Sequence, residues 1–180
     1  MRKLLLLAIV FALAIPSASL AKDMEGKYGL GYFMQDAPVG ARYWVNSNIG
    51  IDFGVGFESQ DQGDESATSF YVELGVPYVL IDTERANFML RPGFTYGSLD
   101  ARPYGINSDE KWTQMTITLM PVAEVFFGEH FSLEAGHGIK INMRSYPDDS
   151  AFGALADESF TDIETFGASV TYLGFHFYFK

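Results

Sequence analysis

Large apolar residues recur at every second position through most of the chain. The pattern is barest at residues 49–57, "IGIDFGVGF", where Ile49, Ile51, Phe53, Val55 and Phe57 alternate with Gly50, Asp52, Gly54 and Gly56. A period of two is that of a β-strand, whose successive side chains point to opposite faces. Three glycines and a carboxylate are a poor surface to show to water, so the alternation alone leaves open which face is inside. Eight segments share it, at about 27–34, 39–45, 49–57, 68–81, 87–97, 111–126, 131–143 and 164–179. No heptad or long helical pattern competes.

The connections alternate in length. "NSN" (46–48), "DTERA" (82–86) and "GEH" (128–130) are tight, whereas 58–67, 98–110 and 144–163 are long and polar. Only "QDAP" (35–38) is short where a long loop is due. Short turns at one end and long loops at the other are the layout of a transmembrane β-barrel.

The two faces separate in most segments. Phe70, Val72, Leu74, Val76, Tyr78 and Leu80 oppose Tyr71, Glu73, Gly75 and Pro77. Met115, Ile117, Leu119 and Val125 oppose Gln114, Thr116, Thr118 and Glu124. A soluble ligand-binding barrel turns its apolar face inward and needs an ample polar face outside. Here the polar face is mostly small residues with scattered charge. Such a face suits the interior of an eight-stranded barrel, which side chains just fill, while the apolar band suits hydrocarbon. Barrel closure also satisfies every strand edge, as lipid demands. The expected fold is therefore all-β, an eight-stranded antiparallel up-and-down transmembrane barrel. Aromatics near strand ends, among them Tyr43, Trp44, Phe57, Trp112, Phe126 and Phe127, fit interfacial girdles.

Charge and the N-terminus refine this picture. Arg2 and Lys3 precede an apolar run from Leu4 to Ile15, then Pro16 and the small residues Ser19 and Ala21. This is the layout of a cleaved secretory signal, with cleavage after Ala21 and a barrel domain over 22–180. The 180-residue chain carries a net charge of −11 and no cysteine. Cleavage removes two basic residues and no acidic ones. So acidic a chain is a poor partner for nucleic acid.

With strand number, loop asymmetry and the C-terminal "GFHFYFK" in place, the chain resembles the small eight-stranded outer-membrane barrels that include OmpX and the membrane domain of OmpA. The resemblance implies that alternating Phe175, Phe177 and Phe179 form the assembly signal read by the barrel-assembly machinery. Lys180 departs from the terminal Phe of that family. In strand eight the parity of large residues changes between Tyr172 and Leu173. This predicts either a bulge near Tyr172–Gly174 or a mixed face.

The inward face collects Arg42, Asp52, Glu73, Arg91, Glu124, Glu134, Lys140 and His176. With three-residue turns at 46–48 and 128–130, Arg42 falls opposite Asp52, and Glu124 opposite Glu134. The expected arrangement is a layer of Arg42, Asp52, Arg91, Glu124 and Glu134, with Glu73 and Lys140 above it. Two facing glutamates could do acid–base chemistry, but an ion network plugging the lumen is the favoured reading. His130 sits at a turn, His137 on the lipid face and His176 in the lumen, and none completes a Ser–His–acid set. Lipid-A deacylases on this fold use His-x-Ser, whereas Gly138 and Ile139 follow His137. Residues 22–27 leave no room for the amphipathic helix of the palmitoyltransferase.

Pro77, Pro92 and Pro121 interrupt three consecutive strands, as curvature bulges or, in a sharper reading, as a lateral gap. The long loops are acidic, with Glu58, Asp61, Asp64 and Glu65 in the first and Asp148, Asp149, Asp157, Glu158 and Asp162 in the last. "DQGDE" (61–65) does not have the spacing of a known calcium loop. The function expected is therefore that of a monomeric, non-enzymatic protein of the Gram-negative outer membrane, without cofactor or metal. It meets lipid and lipopolysaccharide along its wall and an extracellular ligand at its loops. The alternative is a narrow channel or carrier for small apolar molecules, as in OmpW-like barrels.

Overall fold

The computed structural model describes residues 24–32, 36–61, 66–106 and 108–179. The signal expected at 1–21, Lys180 and most of "DQGDE" lie outside them. The described strands are β1 (Tyr28–Tyr32), β2 (Val39–Trp44), β3 (Gly50–Asp61), β4 (Ser66–Gly75), β5 (Tyr78–Asp82), β6 (Ala86–Asp100), β7 (Lys111–Phe126), β8 (Phe131–His137), β9 (Ile139–Ser145), β10 (Ser159–Glu164) and β11 (Thr171–Phe179). The pairs β4/β5, β8/β9 and β10/β11 are each one interrupted stave, so the wall has eight. Every pairing is antiparallel, and β1 pairs with both β2 and β11, which closes the barrel. The only described helices are three short 3₁₀ segments.

The strands carry the expected alternation. On β7, Met115, Ile117 and Leu119 are exposed on the outside, while Thr116 and Thr118 are buried inside. The opening stretch behaves likewise, with Ile51, Phe53, Val55 and Phe57 outside and Asp52, Gly54 and Gly56 inside.

Several expectations need correction. The hairpins rise further than the apolar pattern does: β3 and β4 stay paired from Glu58↔Ser69 to Asp61↔Ser66, within a stretch read as loop. The last loop contributes β10, which pairs with β9. At the tips of β3 and β4 the backbone ladder continues where both faces are polar, and in β10 Phe160 and Ile163 are three residues apart, so in both places the period-two signal is lost. No bulge lies at Tyr172–Gly174, because β11 keeps regular register with β8 from Thr171↔His137 to Phe177↔Phe131. The irregularity lies upstream, where residues 165–170 face only Gly138 and Ile139 of the neighbouring stave. Tyr172 is a lumen residue, so the mixed face is the reading that holds.

The prolines open no gap between β6 and β7, which pair in unbroken register through Pro92↔Leu119 and Leu90↔Pro121. Pro77 lies at the β4/β5 break, and Pro121 lies where β7 passes from pairing with β8 to pairing with β9. Ladder positions that lack an N–H thus coincide with interruptions, where proline is tolerated.

The short first connection also has a structural account. Pairing of β2 with β3 stops at Val39↔Val55, and beyond it the chain turns inward, leaving Ala37 fully buried. A side chain at Gly56 would run into the Asp36 carbonyl, and one at Gly54 would crowd that of Ala37. The two glycines make room for this inward turn.

Candidate functional site in the barrel lumen

Two tight turns set the site. In the β2–β3 turn, Val45 N–H donates to the Ile49 carbonyl at 2.9 Å, and the Asn46 side chain accepts from the Asn48 and Ile49 amides at 2.8 and 2.9 Å. An Asn side chain that mimics a backbone turn in this way pins register. Arg42 and Asp52 are therefore direct partners across the ladder. In the β7–β8 turn, Phe127 N–H donates to Phe131 at 2.8 Å, and Glu124 falls opposite Glu134. Gly128 sits there at φ +108°, a conformation that other residues rarely adopt.

The charges converge on Asp52. Arg42 grips it with Nε and Nη2 at 2.6 and 2.9 Å, and Arg91 Nε donates to the same carboxylate at 2.5 Å. Arg91 Nη2 donates to Glu73 at 2.7 Å, and Arg42 Nη1 donates to Glu134 Oε2 at 2.9 Å. Glu124 Oε2 stands 3.5 Å from Arg42 Nη1. Ser132 and Tyr178 hydroxyls donate to Glu124 Oε1 at 2.6 and 2.7 Å. Arg42 also lies over the Trp44 ring, 5.7 Å from its centroid. All these side chains are sealed from solvent.

The layer differs from the expected one in two respects. Arg91 reaches Asp52 and Glu73, not Glu124; the register partner of Glu124 is Asn87, and that of Arg91 is Met120. Strand stagger brings Arg91 level with Asp52, two staves away, and Glu73 joins the layer through it. Lys140 does stand apart, donating to Asp36 at 3.0 Å. Asp36 is a partner that sequence reasoning missed, since nothing local tells that its turn folds inward. His176 lies in the lumen as expected, with Nδ1 3.8 and 3.9 Å from Glu124 and Glu134.

Trp44, Trp112 and Phe126 are not girdle residues, for all three are buried. Trp44 and Phe126 join Met24, Val79, Met89, Met120, Val122, Tyr172 and Tyr178 in an apolar cluster. Much of this cluster borders the short turns, where it floors the lumen. Strict parity was the signal that could have found Trp44 and Tyr178, since each lies two residues from an inward charge or imidazole. Above the charged layer, Thr95, Thr116, Thr118, Lys140 and Tyr172 line a cavity of about 20 Å³. That is room for a water molecule rather than for a substrate.

At the long-loop end a second core forms. Leu99, Ala101, Trp112 and Phe152 are buried against Tyr71, Ile106, Tyr146 and Leu155. Trp112 stacks on Tyr146 at 5.4 Å, and Tyr104 meets Trp112 edge-on at 5.8 Å. Ser108 hydrogen-bonds Asp149, tying the two longest loops together. Arg102 forks onto Asp100 at 2.9 and 2.7 Å. That hydrogen bonding holds the Asp100 carboxyl down at about 2.

Comparison with known protein families, curated proteins and solved structures finds no match to this chain.

Proposed function

We propose that the protein is an integral outer-membrane barrel that presents its acidic, pre-packed loops as an interaction surface. One observation carries the reading: the barrel is inside out relative to a soluble protein. Leu30, Leu74 and Leu80 are 55, 52 and 61% exposed on the outer wall, whereas Arg42, Asp52, Arg91 and Glu124 are 0% exposed within. Contiguous apolar surface on this scale marks contact with lipid or another apolar partner. Hydrocarbon removes the cost of about 25 cal/mol per Å² that water would impose on it.

The leader expected at residues 1–21 supplies the export route. Phe175, Phe177 and Phe179 face outward on the closing strand β11, where the assembly machinery would read them. This agrees with the resemblance to OmpX-like barrels. The loop core supports an interaction role, because an ordered surface loses less entropy on binding than a mobile one. Glu58, Asp61, Asp148, Asp157, Glu158 and Asp162 are all exposed around this end. Such an acidic rim favours cationic ligands, or divalent bridges to lipopolysaccharide. Against a channel or carrier stand the charged plug and the apolar floor.

Two measurements test the reading. Expressed with its leader in a Gram-negative host, the protein should fractionate with the outer membrane and migrate differently on a gel before and after boiling. In planar bilayers it should be electrically silent. Recovery as a soluble periplasmic protein would overturn the membrane reading, and reproducible channels would overturn the interaction reading in favour of transport.

A further inference from the structure

We propose that the lumen binds one divalent transition-metal ion, of the zinc type, between Glu124, Glu134 and His176. The three come from adjacent staves, β7, β8 and β11, and all are buried, with candidate ligand atoms within 4.8 Å of one another. Among the described residues they are the one group of three metal-ligating side chains gathered in this way.

Three observations converge on an ion. The first is charge. The connected layer holds two guanidinium groups, Arg42 and Arg91, against four carboxyl groups, Asp52, Glu73, Glu124 and Glu134. Sealed carboxylates need compensating charge, and a divalent cation would bring the layer to neutrality with His176 uncharged.

The second is unused donor capacity. Glu124 Oε1 accepts from Ser132 and Tyr178, and Glu134 Oε2 accepts from Arg42. The opposite oxygens, Glu124 Oε2 and Glu134 Oε1, are buried and accept no hydrogen bond, and of the two Glu124 Oε2 is ion-paired with Arg42 Nη1 at 3.5 Å. A buried oxygen in that state is costly, and a metal ion satisfies it.

The third is support around the ligands. Ser132, Tyr178 and Arg42 fix the two carboxylates by donating to Glu124 Oε1 and Glu134 Oε2, the role that supporting partners play around metal sites. The His176 ring stacks on Tyr178 at 5.6 Å, and a Cβ at Gly31 would approach the imidazole to 3.0 Å.

The donor set selects the ion. One imidazole nitrogen with carboxylate oxygens favours zinc-like metals, whereas calcium and magnesium prefer all-oxygen sets. Ligands about 2.0–2.2 Å from tetrahedral zinc stand roughly 3.3 Å apart. The imidazole Nδ1 faces Glu124 Oε1 at 3.8 Å and Glu134 Oε2 at 3.9 Å, and the whole set lies within 4.8 Å, so shifts of up to about 1.5 Å close it around an ion. Because the site is sealed, the ion is captured as the barrel closes and exchanges slowly. The inference needs only the closed lumen, so it stands or falls separately from the membrane assignment.

The test uses the full barrel folded in detergent with Zn²⁺, washed with chelator and analysed for metal by mass spectrometry. The expected result is about one zinc ion per folded chain, with roughly tenfold or greater loss of affinity in Glu134→Gln and in His176→Ala. Lys140→Gln should retain the ion. Co²⁺ loaded into the wild-type chain should show the visible bands of a low-symmetry site, which reads the cluster without any substitution. Folded wild-type protein holding neither metal in stoichiometric amount overturns the proposal. So does unchanged metal content in folded Glu134→Gln and His176→Ala.

Discussion

Asp52 receives two buried arginines at once, from the ladder partner Arg42 at 2.6 Å and from Arg91, 39 residues further along the chain, at 2.5 Å. A single carboxylate thereby joins the β2–β3 hairpin to β6 on the other side of β4. Removing one member of a buried charge set leaves its partners uncompensated, at about 3–5 kcal/mol. Arg91→Ala and Arg42→Ala should each lower the stability of the detergent-folded barrel by that order, read from urea unfolding. A double-mutant cycle of Arg42 with Asp52 should show coupling of roughly 0.5–3 kcal/mol. Unchanged unfolding midpoints would show that the layer does not hold the barrel together.

The membrane reading has a sharp mutational signature. Leu74 points outward near the middle of the β4/β5 stave and is half exposed. In water, Leu74→Arg would be nearly neutral, within about 0.5 kcal/mol. In lipid the same change should cost about 2–4 kcal/mol near the bilayer midplane. Unfolding titrations of the wild type and the variant in lipid vesicles separate the two cases.

Gly56→Ala should destabilise the first hairpin, because the added methyl meets the backbone carbonyl of Asp36 rather than a flexible side chain. Overpacking against backbone costs about 1–3 kcal/mol. Gly26→Ala, whose Cβ would meet nothing within 4 Å but whose φ is +74°, should be penalised by conformation alone. Comparing each with its Ser variant separates the two causes, since added bulk worsens only the first.

The loop core should be acid-sensitive through Asp100. Its carboxyl, usually near 3.8, is held at about 2, chiefly by the hydrogen bonds from Arg102. A lowered folded-state value contributes stability that is fully present above the unfolded value. That stability is lost as pH falls through the folded value. Near-ultraviolet dichroism of the Tyr104–Trp112–Tyr146 cluster should therefore hold at pH 5 and decay between about pH 4 and 2. Arg102→Ala should start the decay at higher pH.

Trp112→Ala should release the crown without opening the wall. The ring joins Tyr104 and Tyr146 across two loops, and an aromatic truncation of this kind costs about 3–5 kcal/mol where the core is tight. Limited proteolysis within 146–158 should accelerate, while the boiling-dependent gel shift persists. Protection equal to wild type would mean that the loops are ordered by something else.

The sequence by itself determined the elements whose cause is local. Period-two alternation was enough for an all-β barrel of eight staves, for the outward row of "IGIDFGVGF" and for the inward set from Arg42 to His176. Two three-residue turns were enough to pair Arg42 with Asp52 and Glu124 with Glu134, because hairpin register follows from turn length. Only the tertiary structure decided what depends on strand tilt and on chain returning from outside the ladder. Tilt kept Arg91 with Asp52 but away from Glu124, drew Glu73 into the layer, and brought His176 beside the two glutamates. The inward fold of residues 36–37 gave Lys140 its partner and explained Gly54 and Gly56. Trp44 and Phe126, which their place near strand ends assigns to an interface, became part of the floor of the lumen. A strand records which face each residue takes, but its height and its neighbours across the lumen are set only when the sheet closes on itself.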